Sequence, residues 1–466
     1  MLYYILLLAV LLCLTVVAFL VGGKELLAPI TIMPAMFSVV TVLAMIGMFT
    51  WNTVQLKSDG FFIISLGCSV FVIGGIIVQR LPYSSVGASN RGDNDAQDVF
   101  EWKQGIATWK WIVLIVLLLV ALGLFVADTY RLGRAMGITD SNYLVIAKQV
   151  HHQYATYYST SNVRVGEGYS VITKQFEKLA IVSGFIGAGM LTIGVKSHPT
   201  KKTFVRNVLL PTIVLVLSCT FILSGGYRSW VMRFAMAALI VSFIVDCMRT
   251  DNAAKVSLRY ALVLIPLGII AFALFYLSGV VLGRAGSHGI IEYISFYFGA
   301  GIPTLQTGIS GDVKIDAPGS LTFYGISLLL YKVGIIDYLP GYSAFWVNLG
   351  GHSSNVPTCF FRYFYDFGYA GVLIFGLLQG IVFCGLYLLV KKYKSTTLLL
   401  LFSLIYAYLI DLVREEFIFS RMISSNMILN LILLVALSYW LTNPVMKQLI
   451  SRCKMVIERH SSRNSE

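Results

Sequence analysis

Arginines, histidines and carboxylates recur in this chain at places where long apolar runs end. The turn "SGGYRSW" (Ser224–Trp230) sets two glycines and an arginine between two such runs. A helix that starts there carries unsatisfied N–H groups and a partial positive charge. Gly225 and Gly226 let an anion come close to the backbone, Ser224 and Ser229 add hydroxyls, and Ser229 is placed to cap the helix. Arg228 supplies a planar cation that can grip two phosphate oxygens, so the turn reads as a diphosphate site. The competing reading is a short hairpin whose arginine snorkels to lipid headgroups. Arg233, one turn deeper, is open to the same two readings.

Further along, Arg284, His288 and Glu292 follow at four-residue steps and share one face if helix continues through them. Arg228 and Arg284 together can neutralise the charge that develops on a departing diphosphate. His352 is a candidate for taking a proton from a hydroxyl, and Ser353, Ser354 and Asn355 offer hydrogen bonds to sugar hydroxyls. The alternative for His352 is a role in stabilising its loop. Arg362 and Asp366 are four apart and are expected to pair with each other, with catalysis by Asp366 as the rival reading. The stretch "DLVREEFIFSR" (Asp411–Arg421) offers Arg414, Glu415, Glu416 and Arg421 either to the same cleft or to a solvated charged loop. Aromatic residues, Tyr365 among them, crowd the segment from Gly283 to Gly368 and suit sugar faces, the bilayer interface or packing.

The elements that must position these groups are membrane spans. The chain has 466 residues, 57% hydrophobic and only 12% charged, which excludes an ordinary soluble domain. A span needs about 20 apolar residues. On that rule spans fall near Leu2–Val21, Ile30–Thr50, Phe61–Val78, Trp111–Asp128, Leu179–Val195, Phe204–Leu223, Trp230–Cys247, Tyr260–Leu282, Tyr369–Val390, Thr397–Leu412 and Met427–Leu441. The expected fold is therefore an all-α polytopic membrane protein of about eleven transmembrane helices, forming a single membrane domain over residues 1–466. The N-terminal run lacks the marks of a cleaved leader and is read as a retained span. Seven cysteines, mostly inside apolar runs, argue against a disulfide framework or a cysteine metal site.

The formal charge of +13 is read as positive-inside bias and not as a nucleic-acid surface. Lys196–Arg206, the basic residues after Cys247, Lys391–Lys394 and the tail 442–466 alternate with the other connections and can all face the cytoplasm. This places Ser224–Ser229, the large loop 283–368 and Val413–Asn426 outside. By parity the loop 130–178 and the N-terminus also lie outside, and 80–110 is a cytoplasmic linker. Within the large loop, Ser320–Tyr338 is apolar but broken by two glycines. It is expected to lie on the membrane or over the site. No nucleotide-binding loop or H-E-x-x-H motif occurs, and the sole D-x-D, Asp93–Asp95, falls in the linker. No metal and no cofactor are expected.

In order, "KELLAPITIMPAMF" (Lys24–Phe37), "SGGYRSW", "EYISFYFGAGIPTL" (Glu292–Leu305) and "NVPTCFFRYFYDFGYAG" (Asn355–Gly371) resemble the Wzy-type repeat-unit polymerases of O-antigen and capsular polysaccharide. The resemblance runs over most of the chain and implies a GT-C-like, metal-independent glycosyltransferase related to O-antigen ligases, in the bacterial cytoplasmic (inner) membrane. Donor and acceptor would be oligosaccharides on undecaprenyl diphosphate, the growing glycan passing to the non-reducing end of a new repeat on the outer side. Membrane lipid, a chain-length regulator and a flippase are the partners it implies. The family's "GxRS" arginine falls on Arg228. Its N-x-x-T and D-F-G elements fall on Asn355, Thr358, Asp366, Phe367 and Gly368. Arg284 matches by place, and His352 with Asn355 stands where related ligases carry a histidine–asparagine pair. The rivals are an O-antigen ligase and a lipid-linked oligosaccharide flippase or transporter.

Overall fold

The structure is a computed structural model that describes residues 1–51, 53–81, 106–150, 168–250, 252–281, 289–311, 318–337, 346–350 and 352–443. The linker 82–105 and the tail from 444 lie outside the described residues, as do Arg284 and His288.

The spans are α1 (Leu2–Val21), α2 (Pro29–Thr50), α3 (Ser58–Arg80), α4 (Thr108–Ala135), α5 (Val171–Lys196), α6 (Lys201–Ser224), α7 (Arg228–Arg249) and α8 (Ala253–Val281). Two short helices follow, α9 (Ile290–Gly299) and α10 (Gly301–Ser310), then α11 (Tyr324–Lys332) and a hairpin of β1 (Val347–Leu349) with β2 (His352–Ser354). The long α12 (Cys359–Tyr393), then α13 (Thr396–Asp411) and α14 (Ser425–Thr442), complete the order. Among the described residues, ten helices are long and apolar enough to cross a bilayer, and α13 is a shorter apolar one. The chain is an all-α polytopic membrane protein.

Antiparallel passage puts the ends of these helices on two opposite levels, and side chains tie each level together. At one, Lys110 donates to the carbonyls of Leu441 and Asn443, and Glu25 accepts from Tyr387 Oη and Lys391 Nζ. Asp246 there accepts from Lys196 and Tyr260. This is the basic end. At the other, Tyr4 Oη donates to Val54 O and Trp51 Nε1 to Ser295 Oγ. All the described candidate residues gather there, and it is called the site end below.

Within the bilayer, α3 packs along α12 where small residues let two backbones meet. A Cβ on Gly380 would lie 2.1 Å from Phe71 O, so only glycine permits the contact. By contrast α8 is exposed along its middle, with Leu262, Ile265 and Ile269 each about two-thirds accessible. It meets its neighbours near its ends. Ser257 bonds Lys24 O and Leu26 N at one, and Ser278 meets Arg228 at the other.

Two expectations about the elements change, and a third, the short element over Ser320–Tyr338, is made specific. The span expected over Tyr369–Val390 begins ten residues earlier, at Cys359, and is broken at Gly368 (φ +62°, ψ −153°). An L side chain is strained in that conformation, so the glycine ends the first helical segment and frees the second to cross the membrane. The outer loop expected over 130–178 is shorter, because α4 runs to Ala135 and α5 starts at Val171. Ile146 and Val150 then fold back onto Leu132. Of the apolar stretch Ser320–Tyr338, residues 320–337 are described and form a turn and then the nine-residue α11. A Cβ on its Gly325 would lie 2.6 Å from Ser420 O, so it packs tightly over the connection between α13 and α14.

Candidate functional site

Arg228 opens α7 at the site end and is 7% exposed. Its guanidinium Nη1 donates to Ser278 Oγ at 3.1 Å and to Phe275 O at 3.4 Å. Tyr293 Oη receives both Nη1 (3.4 Å) and Nη2 (3.3 Å). The Phe275 ring covers the cation at 4.7 Å. Among the described residues, none of these partners is a carboxylate. Taking a charge out of water costs several kcal/mol unless an opposite charge compensates. A buried guanidinium held by hydroxyls, a carbonyl and a ring is electrostatically incomplete, and an anion completes it. Burial pushes the Tyr293 phenol above its ordinary value, with Arg228 opposing, so the ring offers Arg228 a neutral hydroxyl.

The turn before Arg228 works differently from expectation. The N–H groups of Gly225, Gly226 and Tyr227 donate to Phe221, Leu223 and Ile222 carbonyls, with Gly226 at φ +75°. The glycines thus close the C-terminus of α6 and do not present amides to a ligand. Ser224 Oγ returns to Thr220 O. Ser229 is not the cap. Tyr227 holds that position without a side-chain capping hydrogen bond, and Ser229, already inside the helix, is exposed. Arg233 neither snorkels nor waits for a ligand. It pairs with Asp411 at 2.5 Å and lies 4.5 Å over Trp230 and 4.6 Å over Tyr408.

On α9, the residue beside Tyr293 engages the second candidate. His352 Nε2 lies 3.1 Å from Glu292 Oε1, with the ring 4.8 Å from Phe296 and 6.0 Å from Trp51. The hairpin presents His352. Ser353 is exposed, and Ser354 is buried on Thr304 Oγ1 at 2.8 Å. The condition on which Arg284, His288 and Glu292 would share one face is not met at Gly289, which is extended (φ −67°, ψ 158°) and caps a helix that starts at Ile290.

A third group surrounds the start of α12. Arg362, 4% exposed, does not pair with Asp366. Its Nη2 meets Glu415 Oε1 at 2.5 Å and its Nη1 donates to Leu321 O. Asp366 Oδ2 instead accepts from Thr322 N at 2.6 Å, while Oδ1 is buried with no hydrogen bond among the described residues. Glu415 and Glu416 are buried, so the solvated charged loop does not form. Glu416 is fully buried and accepts from Tyr363 Oη and from the N–H groups of Ile418, Phe419 and Ser420. Burial raises its carboxyl above the ordinary value, and these hydrogen bonds oppose the rise. Fully buried and bonded to three successive N–H groups, Glu416 shapes the turn over Ile418–Met422.

The remaining candidates lie near the start of α12 and after α13. Asn355 is half-buried just after β2, and Thr358 sits at the N-cap of α12 with Oγ1 buried and unbonded among the described residues. Tyr365 stacks on Phe361 at 5.2 Å. Arg414 is half-buried, its Nε without a hydrogen bond among the described residues. The motif Lys24–Phe37 belongs elsewhere, since its Glu25 is part of the basic-end network. The sequence pointed to Arg228 and His352 directly. It did not show that Tyr293 and Glu292, neighbours on one helical turn, would join them. The one available signal was that both residues open the motif "EYISFYFGAGIPTL". No protein-family model, curated protein or solved structure matches this chain.

Proposed function

We propose that the chain is a glycosyltransferase that polymerises oligosaccharide repeat units carried on a lipid diphosphate, in the manner of the Wzy-type polymerases it resembles. The site end faces the outside of a bacterial cytoplasmic membrane. The alternation of basic connections along the chain supports that orientation. The observation that carries the reading is Arg228, a buried cation at the mouth of a transmembrane helix, held by neutral groups among the described residues. A lipid diphosphate brings its charge to that depth while its chain stays in the bilayer. Arg284, by its place in the sequence, is the second cation for the same headgroup.

In this reading the acceptor hydroxyl attacks the anomeric carbon of the donor, and the diphosphate leaves with the bonding electrons. Arg228 meets the charge that grows on it, and His352 receives the hydroxyl proton. His352 is preferred over Asp366 because α9 joins it to Arg228, whereas Asp366 lies with the Arg362–Glu415 pair. The test is purified protein given lipid-diphosphate-linked repeats. Long chains from the wild type and a fall of about 100- to 1,000-fold in chain formation by Arg228→Ala are expected. Unaltered chain-length ladders from Arg228→Ala reject the reading. Product that appears only when lipid A core is added identifies a ligase. Movement of the substrate across vesicles without any glycosyl transfer identifies a transporter.

A further inference from the structure

We infer that Glu292 is the positioning residue for His352, orienting its imidazole and stabilising it once it has taken a proton. The inference rests on the polymerase reading above and deepens it.

Three residues at i, i+3 and i+4 on one face of α9 build the seat of the ring. Glu292 Oε1 lies 3.1 Å from Nε2, Phe296 lies beside the imidazole at 4.8 Å, and Ser295 Oγ receives Trp51 Nε1 at 3.1 Å. Trp51 stands edge-on to both rings, 6.0 Å from the imidazole and 5.3 Å from Phe296. Ser295 Oγ also donates to Glu292 O, which locks the turn. His352 itself comes from a hairpin fixed by its register and by Ser354 on Thr304. An imidazole only 16% exposed, with a carboxylate oxygen 3.1 Å from Nε2, is held in one orientation. The next residue, Tyr293, touches the guanidinium of Arg228. One turn of helix thus holds the groups that meet the donor phosphate and the acceptor proton.

The step balances as follows. The acceptor oxygen forms a bond to the anomeric carbon. The bond from that carbon to the phosphate oxygen breaks, and its electron pair leaves on the diphosphate. The hydroxyl proton passes to the His352 imidazole, and later to water. The Glu292 carboxylate oxygen beside Nε2 lowers the energy of the imidazolium that forms.

The experiment uses the full chain in lipid nanodiscs with defined lipid-diphosphate-linked repeats. It measures kcat and KM for Glu292→Gln, Glu292→Asp, His352→Asn and the Gln/Asn double variant. Glu292→Gln is expected to lower kcat about 100-fold, the lower end of general-base effects, with KM changed less than about threefold. Glu292→Asp should recover most of the loss, and Glu292→Gln should add nothing to His352→Asn. A wild-type kcat for Glu292→Gln, or equal further loss on the His352→Asn background, overturns the dyad while leaving the polymerase reading intact. If Glu292→Gln does not fold, a wild-type kcat for folded His352→Asn overturns it equally. A wild-type protein that forms no polymer overturns both.

Discussion

Two buried arginines stand at the site end, each at the start of a long helix, and their surroundings differ in kind. Arg362 has Glu415 at 2.5 Å, and Arg421 lies on the far oxygen of the same carboxylate at 3.8 Å. Arg228 has Ser278, Phe275 and Tyr293. The first arrangement gives the buried guanidinium an opposite charge within the fold. The second leaves the charge to be met from outside. Arg233, five residues along α7 from Arg228, repeats the first pattern with Asp411. Burial alone therefore does not mark a functional cation here. What distinguishes Arg228 is the chemistry of the groups around it.

The sharpest way to break this contrast is to remove one partner from the neutralised pair. Glu415→Ala strands Arg362 in a buried position. It should cost about 3–5 kcal/mol of stability, read as a large fall in the unfolding midpoint in detergent. Arg228→Ala should do the opposite. Chain formation should fall about 100- to 1,000-fold, the range for losing one charge-stabilising donor. The unfolding midpoint should stay near that of the wild type. If Arg228→Ala unfolds the protein while Glu415→Ala leaves it stable, the contrast is inverted. Gly368→Ala tests the backbone that carries Arg362 into place. A built Cβ meets nothing within 4 Å, so the penalty is torsional and should be about 1–3 kcal/mol in the same assay.

The smallest effect concerns Glu416. Burial raises its carboxyl above the ordinary 4.5, so the folded protein holds a proton that the unfolded chain has released. Its contribution to stability is fully present below that ordinary value and is lost as pH rises through the raised one. Glu416→Gln should flatten this part of the pH–stability curve, measured by thermal unfolding across a pH series. An unchanged slope would show that the hydrogen bonds from residues 418–420 cancel the effect of burial.

The spans were legible in the sequence because twenty apolar residues in a row have few alternatives, and α1 agrees with its expected ends. The ends of the others were less so. The Cys359–Phe367 segment reads as loop because it mixes Arg362 and Asp366 into an aromatic run, and only its burial against α3 makes it helix. Spacing misled at Arg362 and Asp366. Four-residue neighbours do meet on a helix, but a carboxylate 53 residues away in sequence took the arginine, and nothing local announces such a partner. The same limit hid the Glu292–His352 contact, formed across sixty residues. Arg228 was legible because its signal is local, a polar turn between two spans. Its neutral company came from α8 and α9 and was not.

The break at Gly368 has a consequence for handedness. Its torsions, φ +62° and ψ −153°, mirror the ordinary extended region near −62° and +153°. A mirror-image residue is torsionally at ease exactly where an L residue is not. D-alanine installed at 368 by semisynthesis should therefore keep the two halves of α12 in register, whereas L-alanine twists them apart. Chirality, with composition held constant, would then report how firmly this corner is set.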